Sequence, residues 1–203
     1  MVSTKQHNPF SVQVRRCAIE LARRGLSALG SLYDLTAPRL LRYAKTLTRN
    51  SEDAEDVLQS AMVRVSLHPQ ALAQAKFPWA YFLRIVRNEA LTLARRRKPM
   101  RVLSPLTEPC AGSDPSLNAE ELKQQVQRAI DRLPPSQAEV VVLRIWEEMT
   151  FLEIAEVLNQ SPNTVASRYR YALEKLTRLL HTYNEREQSH PPLNGRLLTR
   201  SKG

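Results

Sequence analysis

An aromatic ring, an amide and several guanidinium groups share one face of a helix predicted over residues 79–98. They recur every three or four residues, the spacing of one helix face. Rings stack on unpaired bases, guanidinium groups hold phosphates and amides bond to base edges. This chemistry favours nucleic-acid contact over a merely solubilising helix end, although cations also suit the negative end of a helix. The surface is predicted to comprise Tyr81, Arg84, Asn88, Arg95, Arg96 and Arg97, with Ile85, Thr92 and Lys98 beside them.

The residues after position 150 carry a second set of side chains suited to base recognition. Thr150 and Glu153 form a capping-box pattern at the start of a short apolar helix. Asn159 stands where the chain must turn with a positive φ, and Ser161-Pro162 is typical of the start of the next helix. Two helices joined by so short a turn indicate a helix-turn-helix.

The second helix of such a motif enters the major groove of DNA. Ala155, which is small at the predicted helix crossing, and Val165, an apolar plug, favour a helix-turn-helix over a purely structural hairpin. Arginine pairs with guanine and asparagine with adenine in that groove. The side chains predicted to face DNA are Asn163, Thr164, Ser167, Arg168, Arg170 and Tyr171.

Carboxylates crowd the first turns of a helix predicted over residues 51–67. They are Glu52, Asp53, Glu55 and Asp56. Carboxylates stabilise the positive end of a helix, and this structural role is favoured by the local pattern alone. The alternative is an acidic docking patch for another protein on a basic chain.

Composition supports a polyanionic partner. The 203 residues include 30 Lys+Arg and 20 Asp+Glu, which gives a net charge of +10. Cys17 and Cys110 form no CxxC pair and the four histidines have no metal-ligand spacing. We find no catalytic constellation, phosphate-binding loop, signal peptide or membrane span. We therefore expect a cytoplasmic protein that is not an enzyme and has no cofactor and no disulfide.

The helical periodicity and the absence of alternating strands predict an all-α fold with two small domains and a flexible linker. The predicted segments are a basic N-terminal extension (1–30), a helical domain (31–98), a linker (99–120), a helix-turn-helix domain (121–183) and a flexible tail (184–203). We expect the two domains to be separate globules, each with its cationic helix face outward.

With these residues in view, the chain resembles a bacterial RNA polymerase sigma factor of the extracytoplasmic-function (ECF) type, within the sigma-70 family. DAEDVLQ resembles the family's helix that docks on the β′ clamp helices of polymerase, and FLRIVRNEALTLARRR resembles the helix that melts the −10 promoter element. The segment from residue 133 to 176 resembles the −35-binding domain (region 4, a winged-helix-like helix-turn-helix), which also contacts the β flap. Tyr81 lies where tryptophan is commoner, and Trp79 precedes it.

The resemblance implies a monomeric promoter-specificity subunit whose partners are core RNA polymerase and promoter DNA, with an anti-sigma factor as a further candidate and no membrane. It assigns polymerase binding to Asp53, Glu55, Asp56 and Gln59. A tether of 22 residues extends to at most about 70 Å, which matches two turns of DNA at about 70 Å.

Two other classes of protein stay open at this point. A helix-turn-helix repressor or activator would leave the acidic helix and the Tyr81 surface unexplained. A nucleic-acid-processing enzyme would need a metal or nucleophile site that the sequence does not offer.

Overall fold

A computed structural model describes the backbone of residues 9–97 and 117–188, and the side chains of residues 9–96 and 124–180. These residues form helices and no strand, which confirms the all-α fold. Residues 99–116 of the predicted linker and 189–203 of the predicted tail lie outside the described residues. The α-helices are α1 (Pro9–Arg24), α2 (Leu29–Thr48), α3 (Ser51–Leu67), α4 (Pro69–Gln74), α5 (Pro78–Arg97), α6 (Leu117–Asp131), α7 (Pro135–Ile145), α8 (Phe151–Leu158) and α9 (Pro162–Gln188), with a 3-10 turn at Gly25–Ala28.

Helix α1 belongs to the first domain, whereas the sequence suggested a separate extension. Val14, Ala18 and Leu21 lie on one helix face and are buried. This face packs against α4 and α5. Arg15 also donates hydrogen bonds to the carbonyl oxygens of Ala75 and Lys76, at 3.3 and 2.7 Å. The first domain therefore begins well before residue 31.

The core of the first domain is built from α2, α3 and α5. An apolar stripe along α3, from Ala54 through Val57 to Val65, is buried. On α5 an apolar face that includes Phe82, Leu83 and Val86 is also buried, and Leu93 near the end of the helix is half-exposed. These stripes orient the opposite, polar faces of both helices outward.

The second domain contains the predicted helix-turn-helix and two supporting helices. Helices α6 and α7 are separated at the Pro134-Pro135 pair, and α7 and α8 both pack against α9. Helix α9 continues to Gln188, beyond the predicted end near residue 183. On α9, Leu173 is 37% exposed, whereas Ala172 and Leu176 beside it are buried.

The two domains are packed against each other, so the expectation of separate globules is wrong for this structure. Helix α2 contacts α7, and α5 contacts α8. Buried residues of both domains belong to one hydrophobic cluster. The physical reason lies in α7, where six consecutive residues, 138–143, are buried. A helix that is buried on every side must be covered on every side, and the first domain supplies part of that cover.

Candidate nucleic-acid interface

The face of α5 predicted to bind nucleic acid is largely accessible, with one exception. Tyr81 and Arg84 are half-buried and Asn88 is exposed. The Arg84 guanidinium lies 5.2 Å from the centre of the Tyr81 ring, which keeps ring and cation together. Ile85, which follows Arg84 on the helix, is only 7% exposed. Its predicted place on the open surface is therefore wrong, because this side of α5 packs against α8.

Tyr81 and Arg84 line a cleft at the start of α5. The cleft has a volume of about 280 Å³ and is also lined by Lys76, Phe77 and Glu156. Two aromatic rings and two cations around one concave space suit an unstacked base and its phosphate. Glu156 is the only one of these five side chains that comes from the second domain, where it lies on α8.

The structure distinguishes the two neighbouring aromatic residues at the start of α5. Trp79 is 3% exposed and sits between Phe10 and Phe82, with edge-on ring contacts at 4.9 and 6.4 Å. Tyr81 keeps part of its ring open to the cleft. Tyr81 is therefore the ring available to a ligand, and Trp79 holds α1 against α5.

The basic end of α5 is only partly described. Arg95 and Arg96 are exposed on the last turn. The backbone of Arg97 closes the helix, and its side chain lies outside the described residues, as does Lys98. The two described cations lie three turns beyond Arg84 along the same helix, at 1.5 Å per residue, and extend the positive surface along α5.

The helix-turn-helix has the local geometry predicted from its sequence. Glu153 N–H donates to Thr150 Oγ1 at 3.3 Å and Thr150 N–H donates to Glu153 Oε2 at 2.8 Å, which completes the capping box. Asn159 has φ +52° at the end of α8. Thr164 N–H donates to Ser161 Oγ at 3.1 Å, so Ser161 caps α9. These local interactions fix the angle at which α9 leaves the turn.

The predicted DNA-facing residues of α9 lie together on its accessible side. Val165 is fully buried beneath them, and Ala155 is buried where α8 and α9 cross. The exposed members are Asn163, Thr164, Ser167, Arg170 and Tyr171, while Arg168 is half-buried. The Arg170 guanidinium stacks 5.1 Å from the centre of the Tyr171 ring.

The acidic start of α3 divides into a buried and an exposed part. Asn50 caps the helix by accepting a hydrogen bond from Asp53 N–H at 2.9 Å. Asp53 is only 6% exposed because it lies on the same side as the apolar stripe. Its place in an outward docking patch is therefore not supported, whereas Glu55, Asp56 and Gln59 are exposed.

Glu147 lies in the contact between the two domains, although no sequence pattern pointed to it. Its side chain has no exposed surface and lies against two arginines of α2. Arg42 donates to Glu147 Oε1 at 2.6 Å, and Arg39 Nη1 lies 3.5 Å from Oε2. Arg42 also lies over the Trp146 ring, at 5.4 Å from its centre.

A second buried carboxylate, Glu139 of α7, joins the same two domains. Its Oε1 accepts hydrogen bonds from Tyr43 Oη and from Arg87 Nε, both at 2.8 Å. Burial, reinforced by the adjacent Glu139 carboxylate, raises the pKa of Tyr43 well above 10, and Arg87 partly opposes this rise. The sequence signal for this contact was the position of Glu139 within the apolar run of α7, where a solvated charge is not expected.

Other kinds of site are not seen in the described part of the chain. Its histidine, cysteine and carboxylates form no group that could hold a metal ion. None of its helices is both long and apolar enough to cross a membrane.

Comparison with protein families matches both domains. Residues 32–99 match the family model for Sigma-70 region 2, and residues 123–176 match that for Sigma-70, region 4. The region 2 match contains α3 and α5, and the region 4 match contains the helix-turn-helix. The chain belongs to the sigma-70 family. This sigma factor also carries α1, which lies before the region 2 match and is packed into the same domain.

Named relatives place the sigma factor among the ECF type. RNA polymerase sigma-E factor of Streptomyces avermitilis is 34% identical over 137 residues, which cover 68% of this chain and 76% of the relative. ECF RNA polymerase sigma factor SigM of Mycobacterium tuberculosis is 32% identical over 146 residues, covering 72% and 74%. The protein is thus an ECF-type sigma factor, a subunit that binds core RNA polymerase and recognises promoter DNA.

Solved structures support the same fold. CnrH in complex with the cytosolic domain of CnrY matches with a TM-score of 0.62 at 24% identity, over 84% of this chain and 98% of that one. The sigma factor RpoE of Bartonella quintana, in complex with the anti-sigma factor NepR, matches with a TM-score of 0.60 at 21% identity, over 75% and 96%. At this level of identity the match concerns the fold.

Proposed function

We propose that this sigma factor holds the unpaired strand of the −10 element on α5 and reads the −35 element with α9, while α3 docks on core polymerase. The observation that carries the proposal is the pairing of two different nucleic-acid surfaces on one chain. Helix α5 offers a cleft with rings and cations, and α9 offers an exposed, capped helix. Single strands are bound by stacking and double strands by groove contacts.

The −10 element is assigned to Tyr81, Arg84 and Asn88, with Arg95, Arg96 and Arg97 holding backbone phosphates. A base that leaves the duplex gains a stacking partner in the cleft, so binding energy favours strand separation without ATP. The −35 element is assigned to α9, where Asn163 and Arg170 supply base-reading groups.

Docking on core polymerase is assigned to the exposed acidic face of α3. Glu55, Asp56 and Gln59 lie beside one another there and suit a basic partner surface. The supporting helices of the second domain are assigned to the β flap by the family resemblance. The relatives of known structure are bound to CnrY and NepR, and we propose an anti-sigma factor as a further partner.

The protein acts through binding alone in this proposal. We assign it no catalytic step and no cofactor, and we propose that it enters the holoenzyme as a monomer. Because its partners are core polymerase and the chromosome, we assign it to the cytoplasm.

The decisive test is run-off transcription with purified core polymerase on promoters mapped after overexpression. We expect initiation only when the sigma factor is added, with unpaired thymines in the −10 region detected by permanganate. Duplex binding without core-dependent initiation would instead favour the repressor class.

The Tyr81→Ala variant tests the −10 assignment. Losing one stacked base removes about 2 kcal/mol, or about thirtyfold in open-complex formation. The matched control is Tyr33→Ala, since Tyr33 is 48% exposed on α2 away from the cleft. A template that already carries an unpaired −10 bubble should restore most of the lost activity. Equal permanganate reactivity in both variants would remove Tyr81 from the assignment.

The Glu55→Lys and Asp56→Lys double variant tests polymerase docking. Reversing two exposed charges should weaken core binding about tenfold or more, measured by titration of labelled sigma factor with core enzyme. Asp34→Lys, an exposed acid on α2, serves as the control. Unchanged core affinity of the double variant would contradict docking through α3.

A further inference from the structure

Helix α1 contacts the short connection that leads from α4 into α5. This connection, residues 75–78, carries Lys76 and Phe77 to the cleft assigned to the −10 strand. Arg15 of α1 donates hydrogen bonds from Nη2 to the carbonyl oxygens of Ala75 and Lys76, at 3.3 and 2.7 Å. The partners are 60 and 61 positions apart in the sequence. We call residues 75–78 the cleft connection.

The carbonyl oxygens that Arg15 binds lie at the end of a very short helix. Helix α4 has six residues, and Ala75 closes it by donating its N–H to Leu72 O at 3.3 Å. The last carbonyl oxygens of a helix lack backbone donors, and a cation there suits the negative end of the helix. The last turn of α4 contains no basic residue of its own. Arg15 therefore supplies from α1 the cation that the end of α4 lacks.

The start of α1 holds the other end of the cleft connection. Phe10 packs edge-on against Trp79, the residue that follows the connection, with ring centres 4.9 Å apart. The Arg39 guanidinium lies 4.0 Å from the centre of the Phe10 ring and holds that ring from α2. Both ends of the connection are thus attached to α1, one by hydrogen bonds and the other by aromatic packing.

The cleft connection in turn sets the position of Tyr81. Tyr81 N–H donates to Phe77 O at 2.9 Å, and this hydrogen bond starts the backbone ladder of α5. Pro78 has a fixed φ and disfavours helical backbone at Phe77. Lys76 Nζ lies 5.3 Å from the centre of the Phe77 ring. A displacement of the connection therefore moves both aromatic rings of the cleft.

We propose that Arg15 is a positioning residue of the −10 cleft, which holds residues 75–78 in the conformation that receives an unpaired base. The proposal rests on the function assigned above, because it concerns the cleft assigned to the −10 strand. Arg15 acts through the backbone of the connection, and the strand itself is contacted by Tyr81 and Arg84. The match to Sigma-70 region 2 begins at residue 32, so Arg15 lies before it.

The exposure of Arg15 separates this role from a general contribution to folding. Arg15 lies at the surface, where water competes for its hydrogen bonds, so their net effect on unfolding is small. The buried face of α1 is formed by other residues, Val14, Ala18 and Leu21. A binding site, however, must be held within about 0.5 Å of its productive geometry. We therefore expect the loss of Arg15 to affect the cleft more than the fold.

Arg15→Ala tests the proposal, with Arg16→Ala as its matched control. Both variants remove one exposed arginine from α1, but the two hydrogen bonds to the connection belong to Arg15. Losing them should weaken binding of a single-stranded −10 oligonucleotide by the holoenzyme about fivefold. Fluorescence anisotropy of the labelled oligonucleotide measures this affinity. We expect native melting temperature and −35 duplex binding in both variants, and equal oligonucleotide affinities would overturn the proposal.

The salt dependence of oligonucleotide binding distinguishes positioning from a direct phosphate contact. Loss of one phosphate contact to a single strand lowers the slope of log affinity against log salt by about 0.7. We expect Arg15→Ala to keep the native slope while its affinity falls at every salt concentration. A slope reduced by that amount would make Arg15 a phosphate ligand and would overturn the positioning role.

Arg15→Lys tests whether the carbonyl contacts themselves matter. The ammonium group keeps the charge and also donates to carbonyl oxygens, although without the reach of a guanidinium. We expect this variant to recover part of the affinity lost in Arg15→Ala. A lysine variant that binds no better than the alanine variant would contradict a role through the connection.

Combining Arg15→Ala with Tyr81→Ala shows whether both residues act on the same contact. Residues that act through one contact have effects that do not add. Without the Tyr81 ring, removing Arg15 should lower oligonucleotide affinity by less than about twofold. A full fivefold loss on top of that of Tyr81→Ala would show that Arg15 acts elsewhere.

Hydrogen exchange separates failure of this proposal from failure of the assigned function. The amides of Ala75 and Tyr81 close α4 and start α5, and both should exchange faster in free Arg15→Ala than in free Arg16→Ala. If they do, but Tyr81→Ala binds the oligonucleotide like the native chain, the −10 assignment fails while Arg15 still positions the connection. If Tyr81→Ala weakens binding but Arg15→Ala changes neither exchange nor affinity, the positioning role fails and the assignment stands.

Discussion

The two helices assigned to DNA differ in how ready their surfaces are in the free protein. Helix α9 presents its base-reading side chains in the open, and local interactions at Ser161 and Val165 fix their positions. Helix α5 has the richer chemistry, but α8 covers Ile85 and places Glu156 in the cleft. The upstream surface is thus open, and the downstream surface is partly covered by the second domain.

This difference fits the two kinds of DNA that the helices meet. Duplex DNA has a fixed groove, so a rigid helix that is always exposed loses little entropy on binding. A single strand exists only after melting, and an always-open aromatic cleft would bind any unpaired nucleic acid. The partial cover that α8 provides limits access to the cleft.

The largest effect is expected from removing the support of α9. Val165→Asp places an unpaired carboxylate in a fully buried position, at a cost of several kcal/mol. We expect loss of the second domain's cooperative unfolding and of −35 binding, measured by circular dichroism and duplex titration. Thr177→Asp on the exposed side of the same helix is the control. A stable variant that still binds the −35 duplex would contradict the preformed surface.

A smaller effect sharpens the contrast between the two helices. Arg170→Ala should weaken binding of the −35 duplex by the free protein about tenfold and relax its base preference. Arg84→Ala should leave that binding unchanged and lower only polymerase-dependent open-complex formation. The measurement compares duplex affinity with permanganate reactivity for both variants. If Arg84→Ala weakened −35 duplex binding as much as Arg170→Ala, the assignment of α5 and α9 to different promoter elements would be wrong.

The sequence was most informative where local chemistry decides the structure. The cap at Thr150, the positive φ at Asn159 and the cap at Ser161 depend on residues three or fewer positions away, so their pattern predicts the turn. The apolar stripes of α3 and α5 were also predictable, because a period of 3.6 residues defines a helix face regardless of what covers it.

The sequence was least informative about contacts between distant residues. The burial of Ile85 depends on α8, and that of Glu147 depends on arginines more than 100 positions away. Asp53 matched an exposed acidic pattern but lies on the buried side of α3. Periodicity indicates which side of its own helix a side chain occupies. It does not indicate which other helix packs against that side. The continuous apolar run of α7, residues 140–143, was the one sequence feature that indicated packing against a further helix.

The smallest predicted effect concerns Tyr43, at the centre of the domain contact. Its pKa is raised above the ordinary value of 10.0, first by burial and then by Glu139. A raised pKa means that the packed state favours the neutral phenol. Its contribution is therefore complete below about pH 10 and is lost as the pH rises through the pKa of the packed state.

Tyr43→Phe removes the phenol that titrates and with it one hydrogen bond to Glu139, worth about 1 kcal/mol. The free energy of unfolding of the variant should be lower at neutral pH and should fall less steeply than that of the native chain above pH 10. Absorbance at about 295 nm, where ionised tyrosine absorbs, should lose a step at the alkaline end of the titration. Because Arg87 still pairs with Glu139 in the variant, the domains should stay together near pH 7. A variant with the native alkaline step would contradict the raised pKa of Tyr43 and the burial that is its first cause.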